Sequence, residues 1–343
     1  MNPLRVAVIG VGSFGRNHAR VISSLPDVEL SAVVDADDVR GRAVAEEYGT
    51  AFFFDLNAAI GKIDAAVVAT PTATHEEIAS NLLKAGVDVL VEKPIAASSA
   101  AGNRLASLAE SKNRILQVGH LERFNPAVLA LQQKITIPLF FEIHRLSVFS
   151  PRSLDVDVVL DLMIHDLDIV LSITGQQPSE IHAAGISVLS PKVDIANVRL
   201  VFSTGCIANL TASRVSTEQV RKLRLFQPGE YISVDYHRQD ANRLSVTQPT
   251  GLEPSVPANS SAPKIGFESL AVEKSEPLKL ELEAFFHSVR TRSRPRVGGV
   301  EGSHALRVAE SILGKIKEHS ELVAETIRRA KQPRPLQERH QEY

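Results

Sequence analysis

Over its first third the chain alternates short apolar runs with longer stretches of helical period. Leu4–Ile9, Val28–Val34, Ala51–Phe54, Asp64–Ala69, Val87–Val91 and Ile115–Val118 are short and mostly apolar, many of them β-branched, the pattern of strands covered on both faces. Helical stretches separate them, running to about Leu25 and over roughly 38–48, 75–85 and 98–112. Such alternation builds a doubly wound parallel sheet. The pattern changes at Arg123. A helix to about Lys134, a long strand over Leu139–Val148 and a helix over Asp157–Thr174 precede strands at about 178–189, 194–203, 205–214, 220–227, 230–236 and 242–247. Several of these alternate polar and apolar residues, as in Ile232-Ser233-Val234-Asp235-Tyr236, which predicts an antiparallel sheet with one open face. Strand-like Ile265–Val272 and two amphipathic helices, Leu278–Arg290 and Gly302–Arg329, follow.

Gly10-Val11-Gly12-Ser13-Phe14-Gly15 lies between the first strand and the first helix, and Asp35 ends the second strand. In that context the glycines form a dinucleotide fingerprint. Gly10 makes the turn, Gly12 lets backbone approach a pyrophosphate, Gly15 allows close helix–strand packing, and the helix N-terminus offers free N–H groups. Asp35 suits adenosine ribose hydroxyls and repels a 2′-phosphate, so NAD is favoured over NADP. Arg40 and Arg42 are expected to be solvated. The predicted fold class is α/β plus α+β: an N-terminal Rossmann doubly wound parallel sheet with a C-terminal open antiparallel-sheet domain. Residues 1–121 are assigned to the NAD-binding domain, 122–330 to an α+β substrate and oligomerisation domain, and 331–343 to a disordered tail. The proline-rich stretch Pro249–Pro263 reads as a mobile loop.

Composition narrows the partners. With 343 residues, a net charge of -2 and one cysteine, Cys206, the chain has no general pull toward nucleic acid and no disulfide or multi-cysteine metal site of its own. No apolar run reaches membrane-spanning length and no signal-like segment opens the chain, so a cytoplasmic protein is expected. The arginine-rich turn Arg290–Arg296 reads as solvated.

Ligands bind beyond the carboxyl ends of doubly wound strands. That gathers Thr70-Pro71-Thr72, His75, Glu92-Lys93-Pro94 and Gly119-His120 around one crevice. His120 reads equally well as packing or as substrate contact. In the apolar helix 157–174, Asp157, Asp161, His165, Asp168 and Ser172 fall on one stripe at helical spacing. Buried carboxylates and an imidazole are costly unless paired or used.

These residues resemble the glucose–fructose oxidoreductase, inositol dehydrogenase and rhizopine-type (Gfo/Idh/MocA) oxidoreductases. The likeness rests on the glycine motif, Thr70-Pro71-Thr72-Ala73-Thr74-His75, Glu92-Lys93-Pro94, Arg123-Phe124-Asn125-Pro126 and Asp161-Leu162-Met163-Ile164-His165-Asp166-Leu167-Asp168. The resemblance implies that Lys93 touches both nicotinamide ribose and the reacting hydroxyl, that His165 is catalytic, and that Asp161 is its partner. It also implies cofactor contacts from Gly10, Gly12, Ser13, Phe14, Gly15, Asp35, Thr70, Pro71, Thr72, His75, Glu92 and Lys93. Substrate contacts are implied from Lys93, His120, Arg123, Asn125, Asp161, His165 and Asp168. A homodimer or homotetramer formed through the second sheet is implied as well. Where many members have a glycine run, this chain has Asp155-Val156-Asp157. The wording of residues 120–126 and 157–166 is similar to a narrower group that oxidises the 3-hydroxyl of UDP-N-acetylglucosamine or its uronic acid.

The chemistry expected is removal of hydride from a secondary alcohol of a sugar or sugar-nucleotide substrate. Lys93 would stabilise the developing alkoxide, His165 would take the proton, and Asp161 would orient the imidazole and favour its charged form. Three readings compete. Asp161 and His165 satisfy each other structurally, Asp161, His165 and Asp168 hold a divalent ion, or the chain is a non-catalytic NAD-binding regulator. The expectation is an enzyme without a metal, acting on a sugar nucleotide or, alternatively, on inositol or a free sugar.

Overall fold

The computed structural model describes residues 2–149, 156–247 and 263–331. Asp155, the Pro249–Pro263 loop up to residue 262 and the tail beyond residue 331 lie outside the described residues. The apolar runs form strands β1 (Leu4–Ile9), β2 (Val28–Val34), β3 (Ala51–Phe53), β4 (Ala65–Val68), β5 (Asp88–Glu92) and β6 (Leu116–Gly119). Between them stand helices α1 (Ser13–Ser23), α2 (Asp38–Tyr48), α3 (Leu56–Ala59), α4 (His75–Lys84) and α5 (Ser99–Ser111). The sheet is wholly parallel, in the order β3-β2-β1-β4-β5-β6, with β1 and β4 adjacent at the point where the winding reverses. Val6, Ala7, Val8, Ala65, Ala66, Val67 and Val68 are all sealed from solvent, as double coverage requires.

Asn125 and Pro126 then start α6 (Pro126–Gln132): the Asn125 side chain accepts from Ala127 N–H at 3.1 Å and proline occupies the first helical position. Next come β7 (Phe140–Val148), a π-helical turn over Val159–Met163, α7 (Ile164–Thr174), and strands β8 (Glu180–Ile186), β9 (Ile195–Val201), β10 (Ile207–Ser216), β11 (Val220–Gln227), β12 (Glu230–Asp235), β13 (Asp240–Thr247) and β14 (Lys264–Ser269). The second sheet runs β14-β13-β12-β11-β7-β10-β9-β8. It is antiparallel as expected except at β7 and β10, which run parallel. The helical crossover delivers the chain to β8 in the direction of β7, and two hairpin reversals bring β10 back in that direction.

Helices α8 (Pro277–Thr291) and α9 (Gly299–Lys331) close the structure. Leu282, Phe285, Phe286 and Val289 of α8 join Val8, Val33 and Val67 on one face of the parallel sheet. Along α9, Ala305 and Leu306 belong to the other face of that sheet, whereas Val308, Ala309, Ile312 and Ile316 belong to the core of the second sheet. Side chains of α8 and α9 thus pack into the cores of both sheets. The arginine-rich turn is exposed, as expected, and two of its arginines are paired at the surface: Arg292 reaches Asp88 at 2.6 Å and Arg294 meets Glu301. Among the described residues no helix is long and apolar enough to cross a membrane.

Phe285→Ala should cost about 3–5 kcal/mol of unfolding free energy in urea, whereas Leu322→Ser, at a position 65% exposed on distal α9, should stay within about 0.5 kcal/mol.

Candidate active site

The glycine motif divides into two kinds of position. A Cβ on Gly15 would lie 1.8 Å from the Gly10 carbonyl oxygen, and one on Gly10 would lie 2.8 Å from Thr70 Cγ2. The protein's own packing forbids both. A Cβ on Gly12 would meet nothing within 4 Å. Gly12 instead opens onto space in front of α1, whose N-cap it forms without any side-chain cap. Free N–H groups facing a clear approach are what a phosphate uses. Ser13 begins the helix. Beside it a depression of about 390 Å³ is lined by Gly12, Ser13, Arg16, Arg40 and Glu47.

Asp35 follows β2 and is only 5% exposed. Its carboxylate accepts from Val11 N–H and Asp37 N–H, both at 2.8 Å, and from Arg40 Nε and Nη2 at 3.1 and 2.7 Å. Burial opposes its charge, but the Arg40 bond and the two backbone donors hold it below the ordinary carboxylate range. Arg40 is thus no solvated bystander; Arg42, on the outer face, pairs with Asp38 at 2.8 Å.

A larger cavity of about 590 Å³ opens beyond the carboxyl ends of β5 and β6, within the range of small-molecule sites. Phe14, Glu92, Lys93, Gly119, Asp161 and His165 line it. Lys93 Nζ donates to the Asp161 carbonyl at 2.6 Å and lies 3.5 Å from its carboxylate. Burial lowers the Lys93 pKa from its ordinary value, against the pull of Asp161 and Glu92. Glu92 accepts from buried His18 at 2.7 Å. Burial works against the Glu92 charge, yet His18 and then Lys93 bring its pKa below the usual range.

Asp161 and His165 do not form the pair expected from their spacing. No hydrogen bond joins them, and His165 Nδ1 is buried without a partner. The π-helical turn over Val159–Met163 carries Asp161 out of the α-helical register that would stack it on His165, so that it serves Lys93. The His165 imidazole is pushed well below its ordinary pKa by burial first, then by Lys93, Arg145, His120 and Arg221. The expected charged imidazolium is replaced by a neutral ring.

Behind His165 sits a buried ionic cluster. Arg145 on β7 grips Asp166 of α7 through Nε at 2.7 Å and Nη2 at 2.8 Å, reaches Glu122 at 2.9 Å, and lies 5.1 Å from the Tyr236 ring centre. These carboxylates hold its pKa well above the ordinary value despite burial. The cluster had a sequence signal that went unread: Phe141, Ile143 and Arg145 share the inward period-2 face of β7, where an arginine requires a buried partner.

Several residues marked from the sequence do not line the cavity. His120 is buried with both ring nitrogens unpartnered, and its ring stands edge-on to His165 at 6.1 Å. Arg123 meets Asp168 at 3.3 Å beside a separate depression of about 380 Å³. The Asn125 amide donates to Glu122 at 3.1 Å and to the Tyr236 carbonyl at 3.0 Å. His75 bridges the Thr70 and Pro94 carbonyls at 2.8 and 2.9 Å. It ties together the two loops, one carrying Thr70-Pro71-Thr72 and the other Lys93. With Asp168 turned to Arg123, the three-residue metal set does not converge. Among the described residues no group of three or more His, Cys, Asp or Glu side chains is arranged to hold a metal ion. His18, Glu122, Arg145, Asp166 and Arg221 were not marked at all.

A parallel dinucleotide-type sheet joined to a mostly antiparallel sheet, with a cavity beyond the carboxyl ends of β5 and β6 that Lys93 and His165 both line, has the form of a nucleotide-dependent oxidoreductase. The chain belongs to the Gfo/Idh/MocA oxidoreductase family. Residues 4–120 match the pattern of the oxidoreductase family, NAD-binding Rossmann fold, and residues 144–227 match that of the GFO/IDH/MocA C-terminal domain. The chain is 34% identical over 308 residues to the UDP-N-acetylglucosamine 3-dehydrogenase of Acidithiobacillus ferrooxidans, covering 89% of this chain and 95% of that protein. A solved structure of that enzyme superposes with a TM-score of 0.85 at 32% identity, over 93% of this chain and 99% of the other. An inositol 2-dehydrogenase of Rhizobium meliloti is 24% identical over 336 residues, 93% of this chain and 98% of that protein.

Arg145→Met should cost about 3–5 kcal/mol in urea at pH 8, because Asp166 and Glu122 are left buried without their cation. The orphaned carboxyls then bind protons more tightly folded than unfolded, so the deficit should shrink as the pH is lowered toward 5.

Proposed function

We propose that the chain oxidises a secondary alcohol of a sugar nucleotide, the 3-hydroxyl of UDP-N-acetylglucosamine, with NAD. One observation carries this reading: the Lys93 amine and the His165 ring, distant in sequence, line the same cavity next to the start of α1. The likeness to a UDP-N-acetylglucosamine 3-dehydrogenase over most of both chains supports the substrate. The inositol dehydrogenase relative makes free polyols the alternative class.

Gly12, Ser13 and the α1 N-terminus would hold the NAD pyrophosphate, and Thr70, Pro71 and Thr72 would border the strand on its way to the cavity. Phe14, Glu92 and Lys93 would face the nicotinamide end. Bound NAD supplies the acceptor for the hydride leaving carbon. Lys93, fixed by Asp161, has further N–H bonds to aim at the substrate oxygen and stabilises the negative charge that grows there. His165 is neutral at pH 7 and free to accept the hydroxyl proton. Arg145 holds α7, and thereby His165, against β7. Asp35, ionised beside Gly12, supports NAD over NADP, although Arg40 softens its repulsion of a 2′-phosphate. A homodimer or homotetramer through the outer face of the second sheet is supported by Phe140, Phe226 and Tyr231. Their rings cluster there at 5.8 and 5.0 Å.

With UDP-N-acetylglucosamine and NAD, the purified protein should generate reduced nicotinamide absorbance. His165→Ala should lower kcat by about a hundred- to ten-thousandfold while NADH binding stays nearly intact. No turnover of any sugar nucleotide or polyol by a protein that holds NADH would leave the regulator reading standing. In kcat/KM the acid limb should fall below the ordinary imidazole value of about 6.5, and the alkaline limb below the ordinary lysine value of about 10.4. Asp35→Asn should weaken NADH binding about tenfold, a change of about 1.4 kcal/mol, and narrow the gap to NADPH.

A further inference from the structure

Apart from Arg221, the charged groups in and behind the cavity wall each have a partner. Arg20 pairs with Glu276, Lys93 with Asp161, and Arg145 with Glu122 and Asp166. Glu92 is met by His18. Arg221 also lines this cavity, and among the described residues no ion pair or hydrogen bond of its guanidinium exists; its Nε is buried and unpartnered. Its position makes that costly. Arg221 on β11 stands directly opposite Arg145 on β7 in the antiparallel register. Like charges facing each other across a ladder repel. The nearby carboxylates of Glu122 and Asp166 are already taken by Arg145, and burial together with the Arg145 charge lowers the Arg221 pKa from its ordinary value. A half-buried guanidinium, repelled by its neighbour and lining a ligand-sized cavity, lacks one thing: an anion.

We infer that Arg221 is the receptor for an anionic oxygen group of the substrate, so that the cavity selects charged sugars over neutral polyols. This rests on the reading of the cavity as a sugar-oxidising site. The guanidinium offers a planar fork of donors suited to carboxylate or phosphate. The anion is the diphosphate of a nucleoside diphosphate sugar or the carboxylate of a hexuronate.

The test is calorimetric titration of NADH-loaded protein, wild type against Arg221→Gln and Arg221→Lys. The probes are UDP, UDP-N-acetylglucosamine, UDP-N-acetylglucosaminuronate, N-acetylglucosamine and myo-inositol. Arg221→Gln should weaken the anionic probes about ten- to a hundredfold, the range of a charge-assisted hydrogen bond, leave NADH and the neutral probes within about twofold, and be partly rescued by Arg221→Lys. A loss shared by UDP and UDP-N-acetylglucosamine assigns the diphosphate. A loss confined to the uronate assigns the carboxylate. Unchanged affinity for every anionic probe, or an equal loss for neutral ones or for NADH, overturns the inference. Turnover separates the two proposals. Arg221-dependent binding of a UDP-sugar that is never oxidised would sink the sugar-oxidation reading and leave the anion receptor standing. Normal UDP-sugar turnover by Arg221→Gln at unchanged KM would do the reverse.

Discussion

One guanidinium fastens the two halves of the site. Arg145 rises from the second sheet, takes Asp166 of α7 in a two-point grip, and reaches Glu122 in the turn that leaves the parallel sheet. All three side chains are buried. Such a cluster is poor at adding net stability, because desolvation offsets most of the attraction. What it supplies is registry. The strand, the helix and the exit of β6 can satisfy those charges in one relative position only, and that position sets His165 beside Lys93.

The same cluster shapes the electrostatics in front of it. Lys93, Arg145 and Arg221 all bear on His165 and disfavour its protonated form. Under the proposed mechanism, an imidazole crowded by cations is a weak base that stays unprotonated, and the same cations would favour negative charge on a substrate oxygen. Asp161, diverted to Lys93 by the π-helical turn, keeps the amine ordered while leaving the imidazole without a carboxylate partner. The His165 imidazole and the Lys93 amine are thus tuned by different sets of neighbours.

Most of the fold was legible because its signals are local. The six parallel strands, the dinucleotide turn and the later run of strands follow from apolar length, glycine placement and period-2 alternation. The convergence of Lys93 and His165 was legible only through the family resemblance that the Glu92-Lys93-Pro94 and Asp161–Asp168 motifs carry. What was lost depended on contacts between distant segments or on a small departure from ideal helix geometry. Asp161 and His165 are four residues apart, and only an unbroken α-helix would stack them. Arg123, Asn125 and Asp168 were expected at the substrate; Asn125 caps a helix, and Arg123 faces Asp168 beside a separate depression, contacts that no local pattern announced. Arg40 is exposed on its helix as expected, and its pairing with the carboxylate at the end of β2 was not visible from the helix alone. The return of α8 to the parallel sheet had no sequence signature beyond amphipathicity, which tells that a face is buried but not against what.

Helix α9 leaves one hydrophobic core and enters the other within a single turn, between Leu306 and Val308. A continuous helix seated in both acts as a splint across the seam. The wide clamshell swing that many two-lobed proteins use to swallow a ligand would have to bend it or unseat it. Admission and release of small molecules therefore fall to side chains and connecting segments at the rim, and the distance between the nucleotide half and the open-sheet half stays nearly constant through a catalytic cycle.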